Sequence, residues 1–413
     1  MENKSQLQEM SSFYRSHLLN DVLPFYLKHA VDREFGGYTT CLDNDGKLIS
    51  TDKYIWSQGR GLWTFATVYN RLDRDPKYLE AARLGAQFLK RAGRDEEGRW
   101  VYRTTRDGVT QEGHVSIYAD FFVVYGMTEY YRATGDLDAL RLAYRTIKAA
   151  YQRSIQPDFD AVWPYHVAPG CRAHGVSMIY VETGQEFERS VDDPQITQSV
   201  DDAARRILDL HYKPKYGLIL ENIRRDGQEI DAPEGRIVNP GHSIESSWFL
   251  LHWAKRRGLS DEMLTACEIV RKALEVGWDK EYGGLFHGID HVTGEPSPVF
   301  DNADCKLWWT HTEALYALIL IYELTREKWA SQWYERVFEW SMKHHRSPWG
   351  DWYQRLDRQG QVITKVVALP VKDPYHLPRA LLLSHQSLER MLGRTPQPDA
   401  FTPLEQVPAS ELR

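Results

Sequence analysis

Phe35-Gly36-Gly37-Tyr38, followed by Asp45-Gly46, is the first copy of the signature that decides the fold. An apolar or aromatic residue sits beside glycine, and a polar turn comes a few residues on. The pattern returns as Glu97-Gly98-Arg99-Trp100 with Asp107-Gly108, and as Tyr216-Gly217-Leu218 with Asp226-Gly227. It returns again as Tyr282-Gly283-Gly284-Leu285-Phe286 and as Trp349-Gly350-Asp351-Trp352-Tyr353 ending at Gln359-Gly360. A degenerate copy near Asp158–His166 makes six units, spaced roughly every 60–67 residues. A fixed period of this length marks an array of supersecondary units. Each signature lies between two helical stretches, so each unit reads as a helical hairpin joined by a short extended loop. Six such hairpins closed in a ring make an all-α (α/α)6 barrel. The ring gathers the N-terminal ends of its inner helices, and the loops before them, around one mouth.

Outer helices are expected near 8–29, 76–91, 136–152, 196–211, 261–277 and 328–344, and inner ones near 58–71, 117–133, 174–187, 241–256, 312–325 and 378–392. The inner set is apolar on more than one face, as in Leu315–Tyr322, which a helix buried between a lumen and an outer ring requires. Outer stretches such as Ala81–Lys90 keep one apolar stripe and a charged back. No Pro/Gly/Ser linker or low-complexity tract divides the chain. Residues 1–395 therefore read as one catalytic barrel and 396–413 as a polar C-terminal tail.

Charge and composition narrow the partners. A net charge of -7 with a pI of about 6.1 gives no reason to expect nucleic acid. No apolar run approaches the ~18 residues that a membrane span needs. The opening Met1–Ser5 is polar, and the four cysteines are far apart without metal spacing, so free thiols in a reducing cytoplasm are expected. The 14 Trp and 23 Tyr suit sugar faces, although ordinary burial explains any single one equally well.

Chemistry concentrates where the inner helices start. In Asn239-Pro240-Gly241-His242, Asn239 suits the N-cap and Pro240 the first helical position. His242 then falls in the first turn, with Glu245 one turn further along the same face. A helix N-terminus disfavours imidazolium, so His242 is expected to be a neutral base. Leu377 precedes Pro378, so the last inner helix is expected to start at that proline, leaving His376 in a loop beside Asp373 and tolerant of charge. Thr310 and Glu313 fit a capping box; the functional alternative turns Glu313 and the Trp308–Trp309 pair into the cavity. Ser57 is expected to cap the first inner helix, with Arg60 in its first turn. An arginine there opposes the dipole and calls for an anionic or oxygen-rich partner. His29, His252, His344 and His345 read as surface or core.

Two histidines, glutamates and an arginine at one mouth suit proton transfer next to a carbonyl. Inverting the carbon needs a second acid/base on the opposite face. Metal binding by His242, Glu245, His311 and His376 is the rival reading, but no HExxH or comparable ligand spacing appears, so no metal is expected.

The blocks Lys53–Trp63, Asn239–Leu250, Gly277–Phe286, Lys306–Leu315 and Gly350–Ala380, in that order, resemble the N-acylglucosamine 2-epimerase family. The resemblance implies an (α/α)6 barrel that epimerises a reducing sugar at C2 through a cis-enediolate, with no cofactor. It implies His242 and His376 as the catalytic pair, and Arg60, Trp309 and Glu313 at the substrate. Glu245 would support the first histidine, and His174 is the nearest match to a further histidine of the cellobiose epimerases and related isomerases. Pro374-Tyr375-His376 is similar to the cellobiose branch, and Lys365–Val371 departs from the Gly-Gly and Lys-Gly stretch of many N-acylhexosamine enzymes. The sugar thus stays open between N-acylhexosamine, free hexose and a disaccharide reducing end. No Walker-type loop supports nucleotide dependence, and a homodimer is the expected assembly. Other readings are an aldose–ketose isomerase on the same scaffold, a non-catalytic sugar- or protein-binding barrel, and a glycoside hydrolase, which would need a flanking carboxylate pair.

Overall fold

The computed structural model describes residues 1, 3–160, 162–163, 167–364, 372–394 and 398–412. The degenerate copy at 158–166 lies partly, and the departing stretch 365–371 wholly, outside the described residues. In chain order, α1 (Lys4–Ser16) and α2 (Leu23–His29) are joined by a π-helical turn into the first outer rod. Inner and outer helices then alternate: α3 (Ile55–Arg71), α4 (Pro76–Arg91), α5 (Ile117–Thr134), α6 (Leu137–Ser154), α7 (His174–Glu188) and α8 (Pro194–Arg205). α9 (Pro240–Arg257), α10 (Ser260–Gly277), α11 (Trp308–Thr325), α12 (Lys328–His344) and the last inner helix, α13 (His376–Met391), complete the series. Among the described residues the β segments are only two or three residues long and lie in the connecting loops and the C-terminal segment.

The inner helices form a ring, α3 against α5, α5 against α7, and on through α9 and α11 to α13, which returns to α3. Each also packs on an outer helix, and α13 takes α1, so the first and last units close the barrel. Burial follows from position. On α11 every residue from Trp308 to Ile321 is buried, whereas α4 buries the stripe Tyr78, Ala81, Ala82, Gly85, Ala86, Phe88 and Leu89. This is the (α/α)6 barrel expected from the repeat.

Five of the long loops are each tied to the outer helix that precedes them. The backbone N–H groups of Thr39, Val101, Leu220, Phe286 and Tyr353 donate to the carbonyls of Ala30, Gly93, His211, Gly277 and His345, at 2.7–3.1 Å. Buried lysines ahead of three inner helices reach the same loops: Lys53 to Asp32 at 2.9 Å, Lys306 to Asp279 at 3.0 Å and Lys372 to Asp351 at 2.7 Å. The residue after each anchor is Thr40, Tyr102, Glu221, His287 or Gln354. The carbonyls of Tyr102, Glu221 and Gln354 accept the first N–H of the preceding inner helix, from Ile55, His174 and Trp308 at 2.8–3.0 Å. Those bonds satisfy donors a helix start would otherwise orphan, and they set the residues directly on the mouth.

The opposite end is closed by charge. Arg71, Arg132 and Arg256 converge on Glu186, with Glu129 between the first two. The segment read as a polar tail lies across this end. Arg189 donates to the carbonyls of Asp399 and Thr402, Arg256 donates to that of Ala400, and Val407 pairs with Val191. Among the described residues, no helix is long and apolar enough to cross a membrane.

Candidate active site

Four inner helices carry a polar residue in their first turn and a charged one three positions later: Ser57 and Arg60, His242 and Glu245, Thr310 and Glu313, His376 and Arg379. The i, i+3 spacing sets each pair on one face, and the ring points the four faces toward one another. His242 and His376 fall two periods apart, with α11 between them. Trp309 of α11 lies against both, its ring centroid 5.3 Å from His242 and 5.6 Å from His376. Gly241 permits this closeness, because a Cβ there would come within 2.6 Å of the indole.

Asn239 caps α9 as expected, accepting from the His242 N–H at 3.1 Å. The acid beside His242 is not Glu245. Glu221, from the loop before α9, meets His242 Nδ1 at 3.1 Å and His174 Nδ1 at 3.4 Å, while His174 Nε2 lies 3.0 Å from Ser246 Oγ. His211 holds Glu221 in place: it donates from Nδ1 to the Leu220 carbonyl at 2.8 Å and accepts from the Leu220 N–H at 3.1 Å. Glu245 is turned away to Arg379, with His376 Nδ1 at 3.9 Å.

His376 heads α13 rather than lying in a loop. Pro378 is the third helical residue, where the missing N–H has no intrahelical acceptor to lose, and the first helical bond runs from Arg379 N to the Tyr375 carbonyl at 2.8 Å. His376 Nδ1 meets Glu313 Oε1 at 2.7 Å, and its Nε2 faces Arg60 at 3.5 Å. Glu313 also accepts from Trp248 Nε1 at 2.8 Å and from Arg379 at 2.7 Å. The capping box does not form: α11 starts at Trp308, and Thr310 donates to the Leu307 carbonyl at 2.9 Å. Nor does Ser57 cap α3, whose N-cap is Tyr54; its hydroxyl donates to Asp373 Oδ2 at 3.1 Å. The same oxygen takes Arg60 at 3.1 Å, which supplies the anionic partner that arginine required. Its guanidinium also stacks over Phe122 at 4.1 Å and Tyr375 at 4.7 Å.

Both histidines present Nδ1 to a carboxylate, which places the proton there and leaves Nε2 to titrate. Their electrostatics are the reverse of the sequence expectation. Burial disfavours a His242 cation, but the Glu221 charge and hydrogen bond outweigh it, and the pKa rises above its ordinary 6.5. For His376, burial joins Arg60 and Arg379 and overcomes Glu245 and Asp373, holding the pKa well below 6.5. Burial also raises the Glu313 carboxyl despite Arg379. A helix terminus contributes about 0.3–1 kcal/mol, less than a carboxylate in contact.

Sequence reading missed Glu221 and Arg379. The signal for Arg379 was its i+3 place after His376, shared with Arg60, Glu245 and Glu313. Among the described residues, two groups have ligand-like proximity, His174, Glu221 and His242, and Glu245, Glu313 and His376. In the second, Arg379 already supplies the cation between the carboxylates. His311 belongs to neither: its Nε2 accepts from the Leu285 N–H at 2.9 Å and its ring stacks on Trp340. Grooves of about 500 Å³ beside Phe13 and about 430 Å³ beside Tyr151 contain none of these side chains.

Residues 36–380 match the profile of the family described as N-acylglucosamine 2-epimerase (GlcNAc 2-epimerase). The N-acylglucosamine 2-epimerase of Bos taurus is 31% identical over 400 residues, spanning 91% of this chain and 90% of that protein. The solved cellobiose 2-epimerase from Bacillus thermoamylovorans B4167 has a TM-score of 0.80 at 21% identity, covering 93% of this chain and 100% of that one. A D-mannose isomerase has a TM-score of 0.76 at 20% identity, over 92% and 98% of the two chains. The last two likenesses speak for the fold alone.

Proposed function

The chain belongs to the N-acylglucosamine 2-epimerase family, and on that premise we propose that it interconverts gluco- and manno-configured reducing sugars by inverting C2. The observation that carries the reading is the pair of imidazoles against one indole, each tied through Nδ1 to a buried carboxylate. With the sugar ring open, the C1 carbonyl acidifies the C2 hydrogen. His376, neutral at rest, takes that proton on Nε2, and the C2–H electron pair passes into a cis-enediolate. Arg60, beside His376 Nε2, stabilises the developing oxyanion. His242, whose pKa the Glu221 carboxylate raises, returns a proton to the opposite face of C2. The bond broken and the bond formed are both C2–H, so no oxidant or reductant is needed. In the reverse direction the two histidines exchange tasks. Glu313 and Glu221 orient them, and Trp309 gives the planar intermediate a flat wall. An N-acylhexosamine pair, the free glucose/mannose pair and the reducing end of a disaccharide are the candidate substrates.

Conversion in heavy water tests this directly. Deuterium should appear at C2 of the product in NMR spectra, and complete retention of the original hydrogen there would overturn the two-base scheme. His242→Asn and His376→Asn should each lose epimerisation by about 10²–10⁴-fold, while still exchanging the C2 hydrogen of one epimer. Unchanged epimerisation after either substitution removes that histidine from the mechanism. A ketose in the same spectra would reassign the reaction to aldose–ketose isomerisation, in which the enediolate is reprotonated at C1.

A further inference from the structure

Four of the five residues that follow the anchors carry a buried side-chain polar atom with no well-formed hydrogen bond to the described protein, Thr40 Oγ1, Tyr102 Oη, His287 Nδ1 and both amide atoms of Gln354, and the last two residues stand nearest the Trp308–Trp309 pair. Gln354 is 4% exposed, and neither its amide nitrogen nor its amide oxygen makes a hydrogen bond. His287 has Nδ1 buried and likewise unbonded. Native proteins leave few such groups, so each calls for an explanation.

Position supplies one. The Gln354 carbonyl accepts the Trp308 N–H at 3.0 Å, which fixes Gln354 beside the first residue of α11. The Trp308 ring in turn lies 6.0 Å from His376. Tyr102 occupies the same place in its own unit, bonded to Ile55 N, and its ring stands 5.9 Å from Trp56, the α3 counterpart of Trp309. Glu221, again in this place, reaches His242. His287 packs edge-on against Phe300 at 4.7 Å and Trp309 at 6.3 Å. Burial first, then His242, hold its pKa at about 4, although the carbonyls of Asn302 and Asp301 lie near enough to favour the cation. A neutral imidazole and a carboxamide each offer both a donor and an acceptor. That combination matches hydroxyl groups rather than a phosphate or a carboxylate.

We infer that His287 and Gln354, standing at the Trp308–Trp309 wall with unpaired polar atoms, bind hydroxyls of the sugar chain and set which sugar the enzyme prefers. Arg60 and the two histidines act at C1 and C2; this pair holds the uncharged remainder. The identity of the ligand as a sugar rests on the function proposed above.

His287→Phe keeps an aromatic ring for the packing, and Gln354→Leu replaces the carboxamide by an apolar side chain of similar size. KM and kcat for N-acetylmannosamine, mannose and cellobiose, with melting temperatures, decide the matter. Each variant should raise KM for the preferred sugar by about fivefold to tenfold, the worth of a hydrogen bond or two. Melting should hold or rise, because an unpaired polar group has been removed. Unchanged KM in both variants overturns the inference, whatever melting does. If the wild-type protein turns over none of these sugars, the proposed function fails instead. Tryptophan fluorescence titration with the same sugars then decides this pair separately: weaker binding in the variants upholds it, and equal binding overturns it.

Discussion

Exchanging Glu221 for glutamine alters the charge of the site by a single unit and leaves an acceptor in place. Glu221 Oε2 lies 3.1 Å from His242 Nδ1 in a fully buried setting. At a charge separation of about 4 Å and an effective dielectric near 20, the lost attraction is about 4 kcal/mol, or roughly 3 pKa units. Burial then dominates, so the His242 pKa should fall from above 6.5 to below it. In the proposed mechanism both directions of epimerisation draw on the singly protonated histidine pair, and the reaction equilibrium ties their kcat/KM values together. The wild-type profile should therefore decline above the raised His242 pKa, and in Glu221→Gln that decline should move acidward by about 2–3 units in both directions. Above both limbs, wild type should exceed the variant by roughly 10²–10³-fold. Profiles from pH 5 to 9, with ¹⁵N NMR titration of the ring, measure this. Superimposable alkaline limbs would refute the reasoning and free His242 from Glu221.

Arg60→Lys keeps the charge but loses the planar fork that spans Asp373 and His376, so kcat/KM should drop on the order of 10²-fold with an unchanged circular dichroism spectrum. Near-normal kinetics in both Arg60→Lys and Glu313→Gln would reduce Arg60 to packing and Glu313 to a structural carboxylate. Arg379→Met leaves Glu245 and Glu313 buried without their cation, which should destabilise the protein by about 3–5 kcal/mol at pH 8. Burial raises the Glu313 carboxyl and Arg379 lowers it, so without that cation the deficit should shrink as pH falls and Glu313 takes up a proton. Denaturant melts at pH 8 and 5.5 check this, and an equal deficit at both would count against the pairing.

The ring was legible because its signal is repeated: an error in one unit is corrected by the others, and turn glycines recur with every hairpin. His242, Arg60, Glu313, Trp309 and His376 could be nominated because inner-helix starts converge in any such barrel. What stayed hidden depends on which side chain meets which across units. Glu221 lies 21 positions from His242 and reaches it only because its loop is stitched to α7 and to His211. Glu245, one turn from His242, looked the better partner until Arg379 came from α13 to claim it. The sign of the His242 shift followed from the Glu221 contact, and that of the His376 shift from burial together with Arg60 and Arg379. Helix position alone could not give it.

Ring closure by the first and last helical units has a consequence for biosynthesis. Arg60 meets its partner Asp373 across 313 positions, and α1 has no inner helix to lie on until α13 exists. At about 5–20 residues per second of synthesis, the nascent Arg60 waits roughly 15–60 s for that carboxylate. During that interval the apolar flanks of α3 and the first rod have no neighbour on one side. A ribosome-bound chain of four or five hairpins is therefore an open arc whose two ends leave apolar surface uncovered. Catalytic competence cannot accumulate gradually along such a chain; it arrives with the final turn of the circle.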